Sequence, residues 1–445
     1  MVLVLTMVVL QSISFANYAL TTKTTNIIYG SAPYLTFDGG RTRVTNTAAL
    51  LGISLSDGRA FTPTNNSSID NPIELPVVGQ SFNDIGMLVP RNTNSIALSS
   101  LIGTPYNYWG DDDGDGQGVY GVTATGSLKL SIVDKNNRAV ARSEVLTICK
   151  APYKLTLSNS EGILKTRYGV PNESRFNAGN ATYYINPKAA PVICFARPNV
   201  LANPATRISA AVWEFGKGFL PQSVTPSSYG LNFPTTGANN LYFDLDISGI
   251  NQALSWASVS HGGITATMTD STSTSVRVTL TGPVATPSQW SSGNPGQIAR
   301  PSLPQVFELV GRDSSGNAVV KYGFVLKQWF VNSGNSHYNY HSTALSWCNN
   351  IGYRLPKVKD LTNARWDSFG ATPSSPGNYY CHHIGAGFFT EWGYMKSYTG
   401  ATFYGGAYWT SDRRSNDYYL TASLVDGSIA AMRNNEYHDV VCVYP

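Results

Sequence analysis

Gly126-Ser127-Leu128-Lys129-Leu130-Ser131-Ile132-Val133 alternates apolar and polar side chains, and Asp134-Lys135-Asn136-Asn137 then breaks the alternation. A period of two marks a half-buried strand, and an Asp/Asn cluster is turn chemistry. The stretch predicts a strand, a turn and a second strand over 139–147. The same alternation recurs at 241–247, 264–269 and 275–281. Segments 305–311 and 318–331 flank Asp313-Ser314-Ser315-Gly316-Asn317, a hairpin signal. Helical periodicity is scarce. These spacings predict a mainly β chain built from tandem β-sandwich modules of the Ig-like kind.

Composition narrows the functional classes. The 445 residues allow two to four domains at roughly 100–200 residues each. Only 13% are charged and the net charge is +4, against about 25% charged in an average soluble protein. Clustered cations are missing, which excludes an electrostatic nucleic-acid binder. Too little of the chain is Ala, Glu, Lys, Leu and Arg for a coiled coil. With 42% hydrophobic residues and 26 Tyr, 17 Phe and 9 Trp, the chain can bury a core and is not intrinsically disordered.

The apolar run from Val2 to Leu10 is shorter than the about 20 residues that span a bilayer. With Ser14-Phe15-Ala16 as a small-residue cleavage site, segment 1–16 reads as a signal peptide, although no Lys or Arg precedes Lys23. An exported protein, extracellular or held at the cell surface, is expected, with no later transmembrane helix. Composition shifts divide the rest into 30–198, 199–332 and 333–445. The last segment holds five of the six histidines and three of the five cysteines. Within it, 341–350 can form a helix with Ala344, Leu345 and Cys348 facing inward, 357–362 opens a second short helix, and strands are predicted from Tyr408-Trp409 and over 418–425, 428–433 and 439–443.

Five cysteines (Cys149, Cys194, Cys348, Cys381 and Cys442) show no zinc-ligand spacing, and an odd count leaves one thiol over. Asp111-Asp112-Asp113-Gly114-Asp115-Gly116 alternates carboxylates as a calcium loop does, but Val122 stands where an EF-hand has Glu. The loop reads either as a solvated acidic turn or as a structural calcium site held by Asp111, Asp113 and Asp115, and no cofactor is required. Cys381-His382-His383 reads as a solvent-facing loop rather than a metal site or nucleophile. No hydrolase elbow, phosphate loop, zinc-protease or dinucleotide motif is present.

The last segment resembles a C-type-lectin-like domain of a bacterial lectin-like group. The resemblance rests on Ala344-Leu345-Ser346-Trp347-Cys348, Gly352-Tyr353-Arg354-Leu355-Pro356, Tyr408-Trp409-Thr410-Ser411 and Val440-Val441-Cys442-Val443. It implies an α+β domain over 333–445 in which Cys348 bonds Cys442. Sugar-binding relatives use calcium, a Glu-Pro-Asn or Gln-Pro-Asp loop and a Trp-Asn-Asp strand. Here Trp409 is followed by Thr410-Ser411-Asp412, so calcium-independent binding is expected. The segment 30–198 resembles the adhesion domain of RatA-type outer-membrane adhesins of enterobacteria. Gly30-Ser31-Ala32-Pro33-Tyr34-Leu35, Ile85-Gly86-Met87-Leu88-Val89-Pro90, Tyr108-Trp109-Gly110 with the Asp loop, Ile148-Cys149-Lys150-Ala151-Pro152-Tyr153 and Cys194-Phe195-Ala196-Arg197-Pro198 carry it. Cys149 and Cys194 are the only cysteines of that module and are expected to pair, leaving Cys381 outside any disulfide. The tandem arrangement is similar to the intimin and invasin group. Those proteins carry an N-terminal membrane anchor that this chain does not show, so a fragment, a secreted form or a product of gene decay is expected.

The resemblance implies an adhesin that binds a host-cell protein or glycan through its terminal domain. Trp392, Tyr394, Arg413, Arg414 and Tyr418 are the expected contact patch, because Trp, Tyr and Arg dominate protein interfaces. Two other readings stand beside it. One is an enzyme on the formylglycine-generating kind of lectin-like fold, which needs a pair of active-site cysteines. The other is a structural stalk.

Overall fold

Ser127–Val133 forms the expected strand, with Leu128, Leu130 and Ile132 buried and the residues between them turned outward. The turn also forms, because the Asp134 carboxylate accepts from the Asn136 and Arg138 backbone N–H groups at 2.8 and 2.9 Å. The second strand of the hairpin does not. Ser127–Val133 pairs antiparallel with Tyr153–Asn159 instead, and 139–147 makes only isolated bridges at Ala139 and Val145. Arg142, inside that segment, is buried, and its guanidinium bonds the carbonyls of Val89, Pro90 and Thr93. Those bonds draw the backbone away from the sheet.

The structure is a computed structural model and describes residues 29–116, 121–199, 208–335 and 340–445. The signal segment expected at 1–16 lies outside them. The chain divides into two compact units. The first takes the chain up to Pro76, then Gln80–Val145 and Pro152–Ile185; the second takes Val77–Gly79, Leu146–Ala151 and Asn186–Pro445.

In the first unit a five-stranded sheet runs in the order Ile73–Glu74, Gly179–Asn186, Tyr153–Asn159, Ser127–Val133, Ser95–Ala97. Tyr153, Leu155, Leu157, Tyr183 and Ile185 fill its inner face. The buried Tyr183 hydroxyl donates to the Leu51 carbonyl at 2.7 Å. A three-stranded sheet is made by Glu173–Phe176, Gly162–Thr166 and Val122–Ala124.

The second unit begins with a β-sandwich. Leu241–Ser248, Ser275–Thr281 and Ile264–Thr269 lie in a seven-stranded sheet that also contains Val192–Pro198. Gln305–Arg312 and Ala318–Leu326 form the expected hairpin in a second sheet. The inner faces meet through Phe243, Leu245 and Val278 from one sheet and Phe307, Leu309 and Phe324 from the other, with Phe243 edge-on to Phe324 at 5.9 Å. Because Val192–Pro198 is a strand of this sheet, the expected 198/199 boundary falls inside the second unit.

The 332/333 boundary is crossed as well. The last strand, Val441–Tyr444, pairs antiparallel with Gln328–Asn332, which pairs parallel with Thr236–Ala238. Trp329 sits at the centre of this shared sheet, fully buried, and its indole N–H donates to the Pro283 carbonyl at 2.8 Å. Only glycine fits opposite it, since a Cβ on Gly282 would lie 2.6 Å from the Trp329 ring. The sandwich and the terminal α+β segment therefore share one hydrophobic core.

In the terminal segment the helix forms over His341–Asn350 as predicted. Ala344, Trp347 and Cys348 face inward, whereas Leu345 is exposed. Short helices follow at Val358–Leu361 and Phe388–Trp392. Ala407–Ser415, Tyr418–Ser423 and Ile429–Arg433 form an antiparallel sheet. Cys348 bonds Cys442, joining helix to last strand, and Cys149 bonds Cys194. The fold is mainly β, and in the second unit the β-sandwich is followed by an α+β terminal segment. Among the described residues no helix is long and apolar enough to cross a membrane.

Candidate functional site

The expected contact patch divides. Arg413, Arg414 and Tyr418 lie on the sheet of Ala407–Ser415, Tyr418–Ser423 and Ile429–Arg433, where Arg413 pairs with Tyr419 and Ser415 with Tyr418. The two arginines are exposed and Tyr418 is half-buried. Trp392 is not on any surface. It is fully buried against Phe233 and Phe243, and its indole N–H donates to the Thr236 carbonyl at 3.0 Å. Tyr394 packs partly buried against the same core. The density of aromatics after residue 379 exceeds what a small domain hides because the domain is not small: its core continues into the sandwich. Tyr380, Phe388, Phe389, Trp392, Phe403 and Tyr408 all enter that core.

What remains outside is a cationic and aromatic face. Arg413 donates to the Ser415 and Asn416 carbonyls at 2.9 Å each, which fixes its fork, and it lies 5.8 Å from the Tyr419 ring centroid. It has no carboxylate partner among the described residues. Arg414 is ion-paired with Asp367 and lies over Trp366, so less of its charge is available. Arg433 donates to the Tyr418 hydroxyl at 3.0 Å and covers its ring. Beside this lies a shallow cavity of about 310 Å³ lined by Tyr340, His341, Ser342, Tyr419, Asn434 and Asn435. Tyr340 and Tyr437 stack at 4.5 Å on its rim and are 40% and 51% exposed. Sequence reasoning passed over Tyr340, Tyr437 and Arg433. Tyr340 and Tyr437 are 97 residues apart, and no local pattern links them.

His382 is not solvent-facing. It is buried, stacked on Trp213 at 3.8 Å, and its Nδ1 lies 2.7 Å from the Thr390 carbonyl. A carbonyl only accepts, so Nδ1 carries the proton. Burial pushes the imidazole pKa down to about 4, so the ring is neutral at physiological pH. Cys381 is buried outside any disulfide, its sulfur 3.1 Å from the Ser375 hydroxyl. With Cys348 and Cys442 bonded to each other, the cysteine pair that the oxidase reading needs is not assembled.

In the first unit the carboxylates of Asp111, Asp113 and Asp115 converge, with one oxygen of each within 4.8 Å of the others. Backbone N–H groups of Gly116 and Ser31 donate to Asp111 and Asp113 at 2.8 and 2.6 Å. Asp112 points elsewhere, to Arg43 and the Tyr34 hydroxyl. One oxygen of Asp111 and both of Asp115 are buried without a hydrogen-bond partner. Burial, with the neighbouring carboxylates, pushes the Asp111 pKa up. Such oxygens are the donor set a hard divalent cation takes.

No protein-family model matches the chain, and no curated protein matches it. Among solved structures, the chain is similar to invasin, a bacterial integrin-binding protein, at 13% identity over 74% of this chain and 52% of that one, with a TM-score of 0.37. The chain thus spans about half the length of that invasin. It is similar to a C-terminal 282-residue fragment of intimin, solved in complex with the intimin-binding domain of the translocated intimin receptor, at 13% identity over 74% and 95% of the two chains and a TM-score of 0.31. Intimin-190 from enteropathogenic E. coli matches at 16% identity over 48% and 90%, with a TM-score of 0.26.

Proposed function

We propose that this chain is a bacterial surface adhesin that is exported and binds a host-cell surface protein or glycan, with protein favoured, through the outer face of its terminal lectin-like segment. The observation that carries this reading is the face itself. Arg413, Tyr418, Tyr419 and Arg433, with the Tyr340–Tyr437 stack, offer rigid aromatic area and guanidinium forks around a shallow hollow. Side chains of this kind form interface hot spots because they bury much area at little entropy cost. The sequence motifs shared with bacterial adhesins support it. Among the described residues no group of three carboxylates converges in this face, which supports contact without calcium. A screen of the whole chain against host glycans and receptor ectodomains, run beside Arg413→Ala, tests the reading; capture that the variant leaves unchanged opposes it.

Calcium belongs to the first unit in this reading. Asp111, Asp113 and Asp115 would hold it, and it would neutralise three crowded carboxylates and stiffen the loop without taking part in adhesion.

A further inference from the structure

The sequence Ile85 to Pro90, with Arg91 and Asn92 after it, lines one side of a cavity of about 430 Å³ in the first unit. Phe37, Tyr106 and Tyr108 form its aromatic wall, and Arg142 closes it. Its volume lies in the range of small-ligand pockets. Tyr106 and Tyr108 are placed by the turn after the helix Leu98–Ile102, where Tyr106 N–H donates to the Gly103 carbonyl and Tyr108 N–H to the Leu101 carbonyl. The Tyr106 hydroxyl donates to Asn92 Oδ1 at 3.2 Å.

The unusual group is Arg142. It is only 8% exposed, yet no carboxylate faces it among the described residues, and the one charge acting on it is another cation, Arg91. Its hydrogen bonds all leave from Nη1, to the carbonyls of Val89, Pro90 and Thr93 at 3.2, 2.6 and 3.4 Å. Its Nε is buried with no partner. A buried guanidinium without a counter-ion is costly, and the usual remedy is an anion on the free edge of the fork. The exposed Arg91 on the rim adds a second cation to the same hollow. Carbonyl binding by Nη1 explains how the loop is held. It does not explain why a buried guanidinium with no carboxylate facing it lines a hollow that a second cation, Arg91, also lines.

We propose that this cavity is a second ligand site, for a small carboxylate-bearing ring of the acidic-sugar class. The carboxylate meets the Arg142 and Arg91 guanidinium groups, and the C–H face of the ring lies on Tyr106 or Tyr108, with Asn92 available to a hydroxyl. Guanidinium geometry matches a planar carboxylate in two-point contact. Aromatic walls require that the anion carry an apolar face, which a bare inorganic anion lacks. The site is independent of the terminal face.

Ligand-observed NMR on the whole chain with sodium glucuronate, glucose, acetate and inorganic phosphate as probes tests it. Glucuronate is expected to bind, with glucose and acetate each about tenfold weaker or worse, since a charge-assisted hydrogen bond to a buried cation is the difference for one and ring contact for the other. Arg91→Glu should weaken glucuronate by about tenfold or more, and Tyr108→Ala should weaken glucuronate while leaving acetate unchanged. Arg142→Lys is the direct variant. Because it also alters the contacts that hold the loop, Arg91→Glu and Tyr108→Ala keep the test decisive if it fails to fold. Arg413→Ala should leave glucuronate binding intact. Equal binding of glucose and glucuronate, tighter binding of phosphate than of glucuronate, or indifference to both Arg91→Glu and Tyr108→Ala overturns the proposal.

Discussion

Glu391→Ala should unfold the terminal half of the second unit more readily than any surface change. Glu391 is fully buried in the helix Phe388–Trp392. Its two oxygens accept from Thr235 N–H at 3.1 and 3.0 Å, Thr236 N–H at 2.9 Å, Gly385 N–H at 2.8 Å, and the Thr235 and Thr236 hydroxyls at 2.7 and 2.6 Å. Burial pushes its pKa up, and these donors oppose the shift. The carboxylate therefore ties the strand Thr236–Ala238 of the shared three-stranded sheet to the helix Phe388–Trp392 of the terminal segment. Alanine removes the acceptor. The two hydroxyls can turn to other acceptors, and the N–H of exposed Gly385 can turn to water, but the Thr235 and Thr236 N–H groups are left buried. At about 1–3 kcal/mol for each unsatisfied donor, and with single-site losses above about 4–5 kcal/mol exceptional, the expected loss is about 2–5 kcal/mol. For a unit of this size that lowers the melting temperature by roughly 10 °C. Differential scanning calorimetry of the whole chain reads it directly. Glu391→Gln keeps the shape and one acceptor oxygen, so it should fall between the two. A Glu391→Ala protein that melts within about 1 °C of the parent would refute the view that this carboxylate joins the two segments.

The remaining expectations concern the same framework. Trp392→Ala should cost about 3–5 kcal/mol of stability, and soluble, normally melting Trp392→Ala that has lost only ligand binding would contradict its place in the core. Opening the Cys348–Cys442 bridge, which spans 94 residues, should lower stability by about 2–4 kcal/mol; an unchanged melting temperature in the double alanine variant speaks against it. His382 has its pKa depressed from 6.5 to about 4 in the folded chain. Above pH 6.5 both states are neutral there; as pH falls from 6.5 toward 4 only the unfolded state takes the proton, so stability drops by up to about 3 kcal/mol and then levels. His341 and His438, also shifted down by burial, act in the same direction. His382→Gln should flatten that part of the pH profile, and a profile as steep as the parent's counts against the assignment. Millimolar calcium should raise the melting temperature of the first unit, and Asp113→Ala with Asp115→Ala should abolish the rise; a shift that survives the double variant removes the metal site.

Local patterns carried much of the fold. The helix His341–Asn350 and the hairpin of Gln305–Arg312 with Ala318–Leu326 follow from periodicity and turn chemistry alone, since neighbours in sequence decide both. The pairing of Cys348 with Cys442 came from motif resemblance. What local reading missed was set by distant partners. The segment 139–147 alternates like a strand, but the bonds of Arg142 to carbonyls about fifty residues earlier direct its backbone elsewhere. The boundary at 332/333 vanished because Val441–Tyr444 needs Gln328–Asn332 as its neighbour. Trp392 looked like an interface anchor because its partners, Phe233, Thr236 and Phe243, lie more than 140 residues upstream. The Asp111, Asp113 and Asp115 cluster was legible, since alternate residues of one tight loop must converge. The Tyr340–Tyr437 stack was not.

The central claim is that adhesion resides on the outer sheet of the terminal segment and needs no metal. Because 333–445 shares a sheet and a core with the sandwich, the whole chain is the molecule to use. The most direct measurement is binding of the whole chain to cultured host cells, with calcium and with chelator, for the parent and for Arg413→Ala combined with Tyr418→Ala. The account predicts equal parent binding in both buffers, and weakening of the double variant by about 1–3 kcal/mol at an unchanged melting temperature. Parent binding that disappears with chelator, or a double variant that binds as the parent does, would contradict it.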